Sequence, residues 1–347
     1  MLTKKQILEI KEHLERAQNP VFFFDNDPDG LCSFLLLQRY IGRGRGVVIK
    51  SFPALDINYF RKIEELNADY IFILDKPVVS DEFFKKAEQI NMPIVWIDHH
   101  EMDSIVVPDF VNYYNPCLNE QKTNEPVTVL CYQITQRKED LWIAVIGAIT
   151  DWFLPEFYPE FCKKYPDLAI ESDNPFEILY TSKIGSIARM LSNGLKDTTT
   201  NVVNMLRLLV KASSPQDILE ENVKTYALHK RSEQIYKKYK ILLDKAKKLV
   251  SKNKKILFFK YSGDLSVSGE LANELSYRFP GKIIVVAYVK GAKVNISLRG
   301  KNIKEKFLKI IEGVEGAVGG GHNDAVGGQL NPAYLDDFER KLKERFE

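Results

Sequence analysis

Three aspartates alternate in 24-FDNDPDGLCS-33, where Asp25, Asp27 and Asp29 follow directly on the apolar run 21-VFFF-24. Three further acids end apolar stretches: Asp75 in 72-FILDK-76, Asp98 in 95-VWIDHH-100, and Asp151 in 147-GAITDWF-153. Packed carboxylates repel, so a cluster of them needs protonation, salt bridges to Lys or Arg, or a divalent metal. Lys76 is the only cation adjacent to them, whereas His99 and His100 are good transition-metal ligands when neutral. Asp25, Asp27, Asp29, Asp75 and Asp151 together with His99 would supply ligands for two ions about 4 Å apart, a pair that can clamp a phosphate and generate hydroxide. A mixed oxygen and nitrogen ligand set favours Mn²⁺, with Mg²⁺ or Co²⁺ as substitutes, over a sulfur-rich zinc site.

The elements that must position these groups are legible around them. The apolar runs 21–25, 47–52, 70–75 and 93–98 alternate with helical patterns at 31–41, 57–66 and 81–90. Continuous apolar strands separated by helices predict an α/β fold, with a doubly wound, mostly parallel sheet covered on both faces. In such sheets ligands bind beyond the carboxyl ends of the strands, which is where Asp25, Asp75 and Asp98 fall. An amphipathic helix over 3–18 precedes the first strand, with Thr3 and Gln6 at capping-box spacing. A helical pattern at 139–150 delivers Asp151. Residues 155–200 read as helices and loops without a clear order. A basic helix, broken once, spans 215–255; its lysines read as a solvated face, and Tyr226, Tyr236 and Tyr239 as packing.

A second α/β unit follows, with strands at 256–261, 282–289 and 293–299 and helices at 269–279 and 303–313. Then comes a glycine loop, 316-GAVGGGHNDAVGG-328, and a last helix capped by Asn331. Consecutive glycines let backbone N–H groups converge on an anion, and Arg299 and His322 add side-chain donors. His13 and His229 lie in charged helical patterns and read as solvated.

The 347 residues are enough for two domains. A net charge of +2, with 45% hydrophobic and 28% charged residues, excludes a polycation that coats nucleic acid. No apolar run approaches the roughly 18 residues of a membrane span. Cys32, Cys117, Cys131 and Cys162 form no C-x-x-C pair, and no leader pattern opens the chain, so reduced buried thiols and a cytoplasmic location are expected.

These motifs resemble the DHH phosphoesterase superfamily, in the subgroup that carries a DHHA1 domain. The first motif, 25-DNDPDG-30, is similar to the D-x-D-x-D-G form of RecJ-type nucleases; Asp75, 98-DHH-100 and Asp151 follow in family order. The carboxyl-terminal signature is 319-GGGHNDAVGG-328 with Arg299 in 296-ISLRG-300. The likeness extends over roughly residues 20–345. Relatives that open the first motif with H-x-x-x-D-x-D have a histidine where Asp25 stands and an acid where Leu31 stands.

The resemblance implies a DHH catalytic domain over 1–195, a helical linker over 196–253 and a DHHA1 substrate-binding domain over 254–347, closing on each other across a cleft. It implies that Asp25 and Asp29 hold one ion with bridging Asp75, and that Asp75, His99 and Asp151 hold the other. Asp27 ligates or stands close by, Asp98 orients the histidine pair, and His100 faces the phosphate or the attacking hydroxide. Asp98, His100 and Asp27 are the expected catalytic groups; Arg299, Gly319, Gly320, Gly321 and His322 are the expected substrate-binding ones.

The implied activity is two-metal hydrolysis of phosphodiester bonds in short oligonucleotides or in linear or cyclic dinucleotides such as pApA and c-di-AMP, giving nucleoside 5′-monophosphates. A chain of two core domains with no obvious further nucleic-acid module favours short substrates. A RecJ-like exonuclease on longer single-stranded DNA or RNA, and a replication scaffold without catalysis, are the alternatives. Nucleic acid or dinucleotide is the expected partner, with no membrane and with a homodimer as a compatible assembly.

Overall fold

A computed structural model of the chain describes residues 1–51, 54–101, 106–251 and 253–346. By contacts the chain divides into two units, Met1–Ser232 and Glu233–Glu347. Both are α/β.

The first unit is built on five strands: β1 (Pro20–Asp25), β2 (Arg45–Ile49), β3 (Tyr70–Leu74), β4 (Ile94–Ile97) and β5 (Val111–Tyr114). All pair in parallel, in the order β2-β1-β3-β4-β5. Alternate side chains enter two cores. Phe22, Phe24, Phe72, Leu74, Val95 and Ile97 pack with helices Pro28–Ile41, Val127–Thr135 and Leu141–Thr150. Val21, Phe23, Ile71, Ile73, Ile94 and Trp96 pack on the other face with Phe60, Ile63, Phe83 and Phe84. Both faces are covered, which is why these strands are apolar at successive positions. Each fully buried side chain of this size contributes about 1.5–3 kcal/mol of transfer free energy.

Several local expectations meet their elements closely. Helix Lys4–Arg16 carries the full capping box of Thr3 and Gln6. The strand expected over 47–52 is shorter and shifted to Arg45–Ile49, and Phe52 lies outside the described residues. β5 was not anticipated: it is a four-residue edge strand with a polar Asn112. The unordered 155–200 region forms helices Tyr158–Lys164, Pro175–Thr181 and Lys183–Leu195. The next helix, Thr199–Lys211, sends Val202, Met205, Leu206 and Leu209 into the first unit's core. The basic stretch forms Gln216–Leu219 and Tyr226–Lys247. The break between them is a polar turn in which the Asn222 Oδ1 accepts from the Lys224 N–H at 2.9 Å. Tyr239 is half-buried and bonded to Glu274, whereas Tyr226 and Tyr236 are exposed.

The second unit holds β6 (Ile256–Ser262), β7 (Ile283–Lys290), β8 (Lys293–Arg299), β9 (Val318–His322) and β10 (Ala325–Leu330), in the order β9-β10-β8-β7-β6. Only β6 and β7 pair in parallel; the others are antiparallel. The segment read as a glycine loop is therefore a hairpin. Glycines 319–321 lie in strand β9, with Gly319 opposite Gly328 and Gly320 opposite Gly327. Glycine is depleted in strands, but packing demands it here. A Cβ on Gly319 would stand 2.4 Å from the Phe307 ring, and one on Gly328 2.5 Å from it.

Candidate active site

The three strand-end acids come together because β1, β3 and β4 are neighbours in register. Phe24 pairs with Leu74 and Leu74 with Ile97, so the next residues, Asp25, Asp75 and Asp98, leave the sheet side by side. The strand order reverses between β1 and β3, the crevice where open α/β sheets bind ligands. The Asp75 N–H still donates to the Ile97 carbonyl at 3.0 Å. Its backbone then turns left-handed, at φ 57°, a region that a non-glycine residue enters at some cost.

Helices bring the remaining groups. Asp27 caps helix Pro28–Ile41, its Oδ1 accepting from the Gly30 N–H at 2.9 Å. Gly30 admits no side chain, since a Cβ would meet the Asp25 backbone at 2.7 Å. Asp29 accepts from the N–H groups of Val127 and Thr128, at 2.9 and 2.8 Å, at the start of helix Val127–Thr135. Thr128 in turn packs against Gly147, in the helix that ends at Asp151.

His99 is buried, and its Nδ1 lies 3.2 Å from the Asn124 carbonyl. A proton on Nδ1 satisfies that carbonyl and turns the Nε2 lone pair toward the acids. Nε2 lies 3.5 Å from Asp75 and 3.8 Å from Asp151. Among the described residues, two groups bring their ligand atoms within 4.8 Å of one another: Asp75 with His99 and His100, and Asp29 with His99 and Asp151. The donor set of carboxylates and an oriented imidazole suits a divalent first-row metal.

The acids crowd one another, and burial adds to their repulsion. Burial, followed by the charges of Asp29, Asp27, Asp25 and Asp151, holds the Asp75 carboxyl well above the ordinary range. Crowding by protein and the charges of Asp25 and Asp29 push Asp27 up to about 7, although the residue keeps an exposed edge. Loss of hydration raises Asp151 to about 6 against the pull of His99 and His100. Its side chain is 41% exposed, so solvent screens part of that effect.

Asp25 has a different neighbour. The Lys76 ammonium, wholly buried, lies 2.8 Å from Asp25 Oδ1 and 3.0 Å from the Ser51 carbonyl. Asp98 is fully buried and accepts from the His100 ring at 2.7 Å and from the His100 N–H at 3.2 Å. Burial alone would lower His100; the charge and hydrogen bond of Asp98 outweigh it and carry the imidazole up to about 9. A raised histidine adds stability that is fully present below the unfolded value near 6.5 and is lost as pH rises through about 9. Asp98→Asn is therefore expected to bring the His100 titration in chelated protein below 7. Histidine ring resonances followed by NMR across pH check this, and an unmoved midpoint contradicts it.

In the second unit the cross-strand register builds a platform. Arg299, Ala325 and His322 form one row across β8, β10 and β9, and Ser297, Gly327 and Gly320 form the next on the same face. Ser297 donates to Ser268 at the start of helix Ser268–Arg278, so this face is the one that carries that helix. A Cβ on Gly320 would meet nothing within 4 Å, and one on Gly327 only the Ile296 carbonyl at 3.9 Å. The result is a bare backbone floor beside Arg299. The guanidinium is held by Asn273 at 2.6 Å and by the Leu298 and Val326 carbonyls. Gly319 belongs to the opposite, core-facing side, and Gly321 adopts φ 131° next to the turn.

Comparison with known proteins agrees with this architecture. Residues 252–347 match the DHHA1 domain family. None of the curated proteins matches the sequence. Among solved structures, RecJ from Thermus thermophilus in complex with Mn²⁺ is 15% identical, with a TM-score of 0.72 over 98% of this chain and 54% of that one. An exonuclease RecJ bound to manganese is 16% identical, with a TM-score of 0.65 over 98% and 93% of the two chains. The DHH domain of a member of the s1p family of ribosomal proteins is 14% identical, with a TM-score of 0.68 over 99% and 90%. The chain spans about half the length of the Thermus RecJ. Residues 252–347 thus match the DHHA1 domain family, and the whole chain shares the fold of these RecJ and DHH-domain structures.

Some contributors escaped the sequence reading. Asn124, Val127 and Thr128 orient His99 and Asp29 through backbone groups, which leave no side-chain signal. The helix start after Pro126 was the available clue. His13 and His229 are half-buried rather than solvated: His13 Nδ1 meets the Tyr70 hydroxyl at 2.5 Å, and His229 Nε2 meets the Ile218 carbonyl at 2.8 Å. Cys32 and Cys131 are buried and Cys117 and Cys162 half-buried, all free. Among the described residues no helix is long and apolar enough to cross a membrane.

Proposed function

We propose that the chain is a metal-dependent phosphodiesterase that cleaves short oligonucleotides or linear or cyclic dinucleotides to nucleoside 5′-monophosphates. The observation that carries this reading is the convergence of Asp29, Asp75, Asp151 and His99 at the carboxyl edge of the parallel sheet. Asp29, Asp75, Asp151 and His99 would hold the metal, with Asp27 close by. Two bound Mn²⁺ ions would supply Lewis-acid stabilisation of the phosphoryl oxygens and a nucleophile at neutral pH.

The chain's own groups do the rest. His100, kept as imidazolium by Asp98, donates a hydrogen bond to a phosphoryl oxygen and offsets charge developing there. Asp27, at the start of helix Pro28–Ile41 beside Asp25 and Asp29, is the carboxylate that accepts a proton from the attacking water. The bare floor at Gly320 and Gly327 admits the flat face of a terminal base, and Arg299 and His322 bind its phosphate.

The likeness to two RecJ structures favours a second reading, an exonuclease on longer single strands. A panel running from dinucleotide to long single-stranded DNA and RNA, incubated with Mn²⁺, separates the two. Turnover that is highest on substrates of a few nucleotides supports the first. A steep rise in rate with strand length supports the second. No hydrolysis of any member with any divalent ion sinks both and leaves a scaffold role.

A further inference from the structure

Among the described ion pairs Lys76 is the one lysine or arginine within the acidic cluster, beside the His100–Asp98 pair, and its placement is built. Its side chain is 2% exposed, against 30% for Asp25. Its Nζ has the Asp25 carboxylate on one side and the Ser51 carbonyl on the other. Its own carbonyl accepts from the Trp96 indole at 2.8 Å, and the left-handed turn at Asp75 fixes where it leaves the strand. A buried ammonium that loses its counter-ion is left at high energy, so this pair persists when other charges enter the site.

We infer that Lys76 is a positioning residue that withdraws Asp25 from the metal centre; the inference rests on the metal-dependent reading above. Both ligand constellations found among the described residues omit Asp25. A dication placed on Asp25 would sit against a buried ammonium, where like charges repel strongly. The charges also balance. Fully ionised, Asp25, Asp27, Asp29, Asp75 and Asp151 would carry five negative charges, with Asp98 offset by His100; Lys76 cancels that of Asp25, and two dications would cancel the remaining four. Asp25 thus completes the charge of the site without binding metal. Lys76 marks the limit of the metal centre on the β1 side.

The test is calorimetric titration of Mn²⁺ into the chelator-treated full chain and three variants. Asp25→Asn is expected to keep the parent stoichiometry, with affinity within about threefold, whereas Asp75→Asn loses at least about tenfold, the lower range for disturbing a metal's surroundings. Lys76→Met, which frees Asp25 and removes a repelling charge, is expected to bind Mn²⁺ about tenfold more tightly. Should Lys76→Met fail to fold, Asp25→Asn with Lys76→Met removes both charges and is expected to titrate like Asp25→Asn. A loss in Asp25→Asn equal to that in Asp75→Asn overturns the inference and leaves the phosphodiesterase reading standing. A parent chain that binds no Mn²⁺ overturns both.

Discussion

In chelator at pH 8, Asp75→Asn is expected to unfold at a higher temperature than the parent chain, while phosphodiester hydrolysis with Mn²⁺ falls at least about 100-fold. The opposite signs have one cause. Asp75 is buried among Asp29, Asp27, Asp25 and Asp151, and its carboxyl lies well above the ordinary range. An acid whose folded value is raised binds more protons folded than unfolded, so its contribution to stability falls as pH rises above the unfolded value near 4. Asp27, raised to about 7, and Asp151, raised to about 6, act in the same direction. The metal-free parent should therefore lose stability between about pH 4 and 7. The asparagine removes the central charge, and each kcal/mol of repulsion relieved raises the melting temperature by roughly 2–4 °C. At pH 4 the advantage should vanish. Mn²⁺ reverses the order, since a ligand at 100 times its Kd stabilises the folded parent by about 2.7 kcal/mol and the variant less. Thermal melts at pH 4 and 8, with and without Mn²⁺, read all of this. An asparagine variant no more stable than the parent in chelator would mean that the acids do not repel.

The second large effect concerns the platform. Gly320→Val is expected to fold with little change in melting temperature but to raise KM for a dinucleotide about tenfold or more, since a bulky residue would cover the floor on which a base is worth about 1–3 kcal/mol of stacking. Position 320 has open space above it and a backbone compatible with a side chain. Gly319→Val, one residue earlier, should do the reverse. Its Cβ would collide with the Phe307 ring, so stability falls by about 1–3 kcal/mol. Paired melting and steady-state measurements distinguish the two. Equal KM values for Gly320→Val and the parent would remove the platform from substrate binding.

What could be read ahead of the structure follows from what a sequence records. β1, β3 and β4 were legible because strands covered on both faces must be apolar throughout, and their terminal acids break that pattern abruptly at Asp25, Asp75 and Asp98. The order of strands then fixed which acids would be neighbours. β5 was hidden because a short edge strand needs neither apolar continuity nor alternation. The hairpin holding Gly319 to Gly328 read as a loop because its glycines are required by a ring, Phe307, from a separate helix. The Lys76–Asp25 pair was half visible. The lysine is adjacent to Asp75 in sequence, but only the left-handed backbone at Asp75 and the carbonyl of Ser51 turn it inward.

The central claim is that a divalent metal belongs among Asp29, Asp75, His99 and Asp151. Anomalous diffraction at the manganese absorption edge, from crystals grown with Mn²⁺, addresses it without relying on a substrate. Strong peaks are expected in contact with those side chains, and they should disappear in Asp75→Asn. Well-ordered crystals that show no anomalous density there would contradict it.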